Sequence, residues 1–270
     1  MGLPQSRLTQ EIQVPPRRKR PQGRVERVPA GPESPGLDRD LAVYLPPSYG
    51  ETDRRYPVLY MQDGQNLFDP EASFAGSWRV DLAMNWAAAR RLEAIVVGVP
   101  NAGEERIAEY SPFDDPEAGP GRGGEYVSHL AGTIKPLVDA RFRTLPQRET
   151  TGVAGSSMGG LISLLAFFAR PDVFGIMGAL SPSLWFGERA IFGLLEAAPS
   201  QPGRLYLDVG RLEGAATLED ARRLRDLLSA KGYAQGAHLR YVEDRAGRHE
   251  EAAWGRRFRA ALPFLLPSSE

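Results

Sequence analysis

The strongest constraint on the fold is a series of short, almost wholly apolar runs, each closed by a turn signal. Leu41-Ala42-Val43-Tyr44-Leu45 ends at Pro46-Pro47, Pro57-Val58-Leu59-Tyr60-Met61 ends at Gln62-Asp63-Gly64, and Ala94-Ile95-Val96-Val97-Gly98-Val99 ends at Pro100. Runs without polar alternation suit strands buried on both faces, as in a parallel sheet covered by helices. Similar runs lie near residues 150–154, 175–180, 204–209 and 238–242. Helical spacings fall between and after them: residues 80–91, a stretch through Ala140, a stretch stopping at Pro171, and a final one over about 250–266. Another follows Thr217, which reads as an N-cap because Asp220 stands three residues on and Leu218, Ala221, Leu224 and Leu228 share a face. Strands alternating with helices predict a mostly parallel sheet with right-handed crossovers.

Domain organisation follows from composition. Residues 1–36 are rich in proline and carry Arg17-Arg18-Lys19-Arg20, so they read as a poorly packing N-terminal arm; Arg24-Val25-Glu26-Arg27-Val28 alternates as an outer strand would. Residues 37–270 read as one α/β domain. With 33 basic and 34 acidic residues the formal net charge is −1, which gives no general attraction for nucleic acid or an anionic membrane. The Arg17–Arg20 run is therefore read as solvated rather than as a nucleic-acid patch. No run of about 18 apolar residues occurs, and residues 1–13 lack a signal-peptide pattern, so the expectation is a cytoplasmic protein without membrane spans. Absence of cysteine excludes disulfides, thiol nucleophiles and Cys-ligated metals, and with three histidines no metal site or cofactor is expected.

Chemistry concentrates at Gly155-Ser156-Ser157-Met158-Gly159, a G-x-S-x-G sequence with Ser157 central. It follows a strand pattern and opens an apolar helix, the context in which a sharp strand-to-helix turn exposes a strained serine. Small flanking residues let the neighbouring backbone pass, and the helix N-terminus offers free N–H groups to a developing oxyanion. A serine needs a base, and on this architecture the chain order is serine, acid, histidine. His129 precedes Ser157, and His238 begins a strand. His249 lies in the loop Gly247-Arg248-His249-Glu250-Glu251 after the last strand and is the candidate base. Glu213, flanked by glycines beyond the strand at 204–209, is preferred as the acid over Asp208 and Asp244. The N–H of Met158 supplies one oxyanion donor. The turn Asp63-Gly64-Gln65 supplies the other, assigned to Gln65 with Gly64 as alternative.

Two segments resemble a known family: Tyr44-Leu45-Pro46-Pro47-Ser48-Tyr49 with Tyr56-Pro57-Val58-Leu59-Tyr60-Met61-Gln62-Asp63-Gly64-Gln65, and Gly155-Ser156-Ser157-Met158-Gly159-Gly160. Both look like the α/β-hydrolase family that groups esterase D, feruloyl esterases, enterochelin-type siderophore esterases and the mycolyltransferases called antigen 85. The likeness runs from about Leu37 onward. It implies an α/β-hydrolase fold with Ser157 as nucleophile, Glu213 as acid, His249 as base and Gln65 as oxyanion donor. It also leaves the substrate class open.

The expected activity is hydrolysis of soluble carboxylic esters by a serine carboxylesterase, through an acyl-enzyme. Alternatives are a siderophore-lactone esterase or acyltransferase on the same triad, or a hydrolase fold kept as a binding module. The expected partner is a small-molecule ester, with oligomeric state open. Tyr110, Phe113, Trp185 and Phe186 follow two strands on the edge that carries Ser157 as aromatics for an acyl or aryl pocket, with Tyr110, Trp185 and Phe186 the candidate substrate-binding residues and Trp78 and Trp254 at the border.

Overall fold

The computed structural model describes residues 22–266 apart from 33, 35, 72, 74 and 75, so the Arg17–Arg20 run lies outside the described residues. Among these residues, eight strands form one sheet: β1 (Arg24–Val28), β2 (Leu41–Leu45), β3 (Val58–Gln62), β4 (Ile95–Val99), β5 (Thr151–Ser156), β6 (Ile176–Leu180), β7 (Arg204–Gly210) and β8 (Leu239–Asp244). Their spatial order is β1-β2-β4-β3-β5-β6-β7-β8. The pairs β1–β2 and β2–β4 are antiparallel, and every later pair is parallel. β1 thus adds an outer strand from within the segment read as an arm. The helices are α1 (Val80–Ala88), α2 (Arg106–Tyr110), α3 (Gly123–His129), α4 (Lys135–Arg141), α5 (Met158–Ala169), α6 (Ala190–Ala197), α7 (Ala215–Ala230) and α8 (Glu251–Leu265). A turn of π-helix over Leu130–Ile134 joins α3 to α4.

The apolar runs are buried because both sheet faces are covered. Every residue of β3 and β4 is buried. Side chains alternate along β3: Val58 and Tyr60 join the core under α3 to α7, while Leu59 and Met61 join the core under α1 and α8. The first core includes Tyr126, Val138, Leu161, Ile191 and Leu224, one from each of α3 to α7. The second includes Val80 and Met84 of α1 with Trp254, Phe258 and Leu262 of α8. Such a strand order and helix layering is the α/β-hydrolase architecture.

Thr217 does not cap its helix. α7 starts at Ala215, after Gly214 at φ 101°, and Thr217 is internal, its hydroxyl donating back to the Glu213 carbonyl four residues earlier at 3.3 Å. A left-handed glycine turns the chain into the helix earlier than the threonine could, and Thr217 takes the back-bonding geometry open to internal threonines.

Candidate active site

The parallel strands all point their C-terminal ends to one edge, and loops leaving that edge meet there. β5 delivers Ser157, β7 delivers Glu213, and β8 leads to His249. Ser157 sits between β5 and α5 at φ 55°, ψ −123°, strained for a residue with a Cβ. Gly155 makes the tight turn possible: a Cβ there would lie 2.6 Å from Gln62 Oε1 and 2.7 Å from the Gly159 backbone. The peptide on either side is pinned to β6 and the loop beyond it. Ser157 N–H donates to Leu180 O at 3.1 Å, and Ser183 N–H donates to Ser157 O at 3.0 Å.

The three polar side chains then form a continuous relay. Ser157 Oγ lies 3.0 Å from His249 Nε2, and His249 Nδ1 lies 2.9 Å from Glu213 Oε2. Ser157 Oγ is also 3.1 Å from Ser183 Oγ. The Glu213 carboxylate is buried while the imidazole is 44% exposed, so the carboxylate is dry and the imidazole faces the cleft. Oε1 of Glu213 accepts from Ser181 Oγ at 2.7 Å, from Gly210 N–H at 2.8 Å and from both terminal nitrogens of Arg257 at 3.3 Å. Burial opposes charge on Glu213, but bonds from His249 and Ser181, with Arg257 and the Gly210 N–H, hold its pKa below the ordinary value.

Asp208, weighed for the same role in the sequence, lies inside β7 with no exposure and pairs with Arg257 at 3.4 Å rather than with His249. Burial pushes its pKa up to about 7, against the pull of Arg257. Two carboxylates near one guanidinium are thus shifted in opposite directions, Glu213 down and Asp208 up.

The turn Asp63-Gly64-Gln65 stands across the cleft from the elbow. Asp63 takes the left-handed conformation, φ 55°, ψ 47°. Its carboxylate is gripped by Arg106 through Nε at 2.6 Å and a terminal nitrogen at 2.8 Å, and accepts from Asn101 Nδ2 at 2.6 Å. Asp63 N–H donates to the Tyr110 hydroxyl at 3.1 Å. Burial works against the Arg106 charge, yet the Asp63 carboxylate leaves its pKa raised. Gly64 packs on β4, where a Cβ would meet the Gly98 carbonyl carbon at 2.5 Å. Gln65 is second in the 3₁₀ turn Gly64–Asn66, and Met158 is first in α5. Amides in those positions have no acceptor within their own turn.

A cleft of about 1070 Å³ opens over Ser157 and His249. Its lining includes Gln65, Trp78, Trp254, Asp63, Arg106 and Glu251. The aromatic residues are divided differently from the sequence expectation, and none of Tyr110, Trp185 and Phe186 lines this cleft. Tyr110 is fully buried beneath Asp63, edge-on to Tyr126 at 5.1 Å; Phe186 is buried in the core. Trp185 is 57% exposed and leans on Phe186 instead. A large ring in a strand-end loop can turn inward as easily as toward the cleft, and the residue type alone does not decide which. Trp78 and Trp254, expected at the border, do line it.

Sequence reading missed Ser181, Ser183, Asn101, Arg106 and Arg257. Ser181 and Ser183 carried one usable signal, their place just beyond the C-terminal end of β6. Among the described residues, no group of three or more His, Asp or Glu is arranged to hold a metal ion, and no helix is long and apolar enough to cross a membrane.

Comparison with known proteins places the chain. The profile of the family described as "Putative esterase" matches residues 33–265. The chain belongs to this esterase family. It is 25% identical over 228 residues to the uncharacterized protein YbbA of Bacillus subtilis, covering 79% of this chain and 87% of that one. It is 27% identical over 238 residues to the iron(III) salmochelin esterase of Escherichia coli, covering 81% of this chain and 52% of that protein. The endo-1,4-beta-xylanase/feruloyl esterase of Xylanibacter ruminicola is 29% identical over 174 residues, 62% of this chain but 22% of its own length. Among solved structures, a ferulic acid esterase superposes with TM-score 0.69 at 19% identity, over 90% of this chain and 98% of that one. The enterobactin esterase of Shigella flexneri gives 0.67 at 19%, over 90% and 60%. The family and its homologues make this esterase an ester-hydrolysing enzyme of the α/β-hydrolase fold.

Proposed function

We propose that this esterase is a serine carboxylesterase that cleaves small carboxylic esters through a covalent acyl-enzyme. The observation that carries the reading is the unbroken path from Ser157 Oγ through His249 to buried Glu213, at 3.0 Å and 2.9 Å, opening on a cleft. His249 Nε2 takes the Ser157 proton as Oγ attacks the ester carbonyl. Negative charge moves to the carbonyl oxygen, between the free N–H groups of Met158 and Gln65. Collapse breaks the bond to the alcohol, which leaves with the proton from Nε2. Water then repeats the attack on the acyl-enzyme, His249 again moving the proton, and the acid is released with Ser157 restored. Glu213 keeps Nδ1 protonated and balances the transient imidazolium.

Among the described residues, the cleft lining holds five carboxylates, Asp38, Asp40, Asp63, Glu104 and Glu251, against the two guanidiniums of Arg39 and Arg106. Both guanidiniums are already engaged, Arg39 by Glu109 and Arg106 by Asp63. A neutral ester fits this surface better than an anionic one. A second reading is hydrolysis of ester bonds in a siderophore, favoured by the likeness to the iron(III) salmochelin esterase.

Hydrolysis of p-nitrophenyl esters from acetate to octanoate, by the parent and by Ser157→Ala, tests the proposal. Loss of nearly all turnover in the variant supports it, and a variant equal to the parent overturns it. A cyclic trilactone offered in parallel separates the second reading, and adding an alcohol acceptor reveals any acyl transfer.

A further inference from the structure

Arg257 lies on α8, two turns from His249, and no step of the reaction requires it. It is nevertheless 4% exposed, and its guanidinium lies between two carboxylates, Glu213 at 3.3 Å and Asp208 at 3.4 Å. Burying that charge is costly unless neighbours use it. One of its terminal nitrogens also donates to Ser181 Oγ at 2.8 Å, and Trp254 Nε1–H donates to the same oxygen at 3.2 Å. Guanidinium and indole N–H groups can only donate. With its lone pairs occupied by these two donors, Ser181 must point its own proton at its remaining partner, Glu213 Oε1, 2.7 Å away. The hydroxyl is thereby locked as a donor. Ser181 is itself held at φ 44°, its N–H donating to the Asp208 backbone carbonyl at 3.0 Å.

We infer that Arg257, Ser181 and Trp254 form a clamp that positions the Glu213–His249 pair, with α8 as the arm that carries it. The inference rests on the serine-hydrolase reading. Trp254 and Arg257 are three residues apart and so share a face of α8. Arg257 and Ser181 saturate Oε1 and leave Oε2 for His249. Trp254 completes the clamp by standing edge-on to the imidazole, ring centres 4.8 Å apart. The charged and titratable groups around Glu213 are Arg257 from α8, Asp208 and Tyr206 from β7, and His249 from the loop before α8. Arg257 is the one fixed positive charge among them.

The test uses Arg257→Met, Arg257→Lys and Ser181→Ala, each checked by thermal melt, with kcat, KM and the pH dependence of kcat on a neutral p-nitrophenyl ester. Removing hydrogen bonds to a charged group is expected to lower kcat about tenfold to a hundredfold in Arg257→Met. KM stays near the parent value, because Arg257 does not line the cleft. The acid limb of the kcat profile moves to higher pH, since losing a nearby positive charge makes both Glu213 and the imidazole easier to protonate. Arg257→Lys keeps the charge, so its acid limb stays near that of the parent while kcat falls. Ser181→Ala lowers kcat with little movement of the limb. A merely structural arginine would lower the folded fraction at every pH and leave the limb in place.

Should Arg257→Met not fold, Arg257→Lys and Ser181→Ala decide: both retaining parental kcat overturns the clamp. A folded Arg257→Met with parental kcat and an unmoved acid limb overturns it too. Labelling of the parent by a fluorophosphonate, absent in Ser157→Ala, separates this failure from failure of the serine reading. A labelled parent with an indifferent Arg257 sinks the clamp alone, whereas an unlabelled parent sinks the mechanism beneath it.

Discussion

Replacing Glu213 by glutamine changes one atom, and the surroundings dictate what that atom does. Among the described residues, Oε1 of the carboxylate faces only donors: Gly210 N–H, the Ser181 hydroxyl and two Arg257 nitrogens. An amide NH2 turned to that side would meet four donors and lose all four bonds. The carbonyl oxygen of the substituted amide must therefore stay there, which points its NH2 at His249 Nδ1. Nδ1 then has to accept and the imidazole proton moves to Nε2, which on the proposed mechanism is the wrong tautomer to take a proton from Ser157. In a serine triad of known chemistry this tautomer error costs about 10⁴-fold in kcat. The same cost here corresponds to about 5.4 kcal/mol, at about 1.36 kcal/mol per factor of ten. The assay is steady-state hydrolysis of p-nitrophenyl butyrate near pH 8, with a thermal melt to show that the variant is folded. Asp208→Asn is the control, because Asp208 touches Arg257 and not the imidazole. A folded Glu213→Gln within about tenfold of the parent would refute the reasoning, and a larger loss in Asp208→Asn would move the role to that residue.

Three further outcomes follow from other parts of the molecule. Glu243 accepts from Arg222 at 2.8 and 3.0 Å, from Tyr241 at 3.0 Å and from Arg211 at 3.1 Å, and these bonds, Arg222 foremost, bring its pKa down to about 2. A depressed carboxylate stabilises the fold above its ordinary pKa and loses that contribution as pH falls through the folded value. The stability gap between the parent and Glu243→Gln should thus be full at pH 6 and close between about pH 4.5 and 2 in denaturant titrations; a constant gap contradicts it. Gly155→Ala forces a Cβ to within 2.6 Å of Gln62 Oε1 and 2.7 Å of Gly159, and overpacking of this kind costs about 1–3 kcal/mol, so an unchanged melting temperature would show that the elbow yields. A neutral p-nitrophenyl ester should outperform p-nitrophenyl hemisuccinate in kcat/KM, with the gap narrowing as salt shortens the screening length to about 10 Å at 0.1 M; preference for the hemisuccinate would mean that Arg39 or Arg106 is free to bind it.

The sheet was legible because its strands are buried on both faces. Burial of Ile95–Val99 and Val58–Gln62 leaves no polar alternation to blur the run, and the turn residues after each run mark its end. The elbow was legible for a related reason, since crowding at Gly155 selects against any residue with a side chain. What stayed hidden depends on contacts between distant segments. Arg106 grips Asp63 across 43 residues, and Arg257 reaches Glu213 across 44, yet each reads locally as an ordinary arginine on a helix. Tyr110 was hidden for the converse reason: its hydroxyl has a buried partner in the Asp63 N–H, which lets an aromatic expected at the cleft sink wholly into the core. The start of α7 was missed because Gly214 and Thr217 each offer a plausible beginning, and only the backbone geometry chooses between them.

α8 covers one face of the sheet with Trp254, Phe258, Ala261, Leu262 and Leu265, and the same helix reaches Glu213 through Arg257. During synthesis β5, β6 and β7 leave the ribosome well before it does, so Ser157 and Glu213 are made long before the helix that steadies them. A nascent chain halted after β8 would own the serine and the carboxylate but expose an apolar sheet face to chaperones and proteases. Steadying of Glu213 and covering of that sheet face should therefore arrive together, with the same helix.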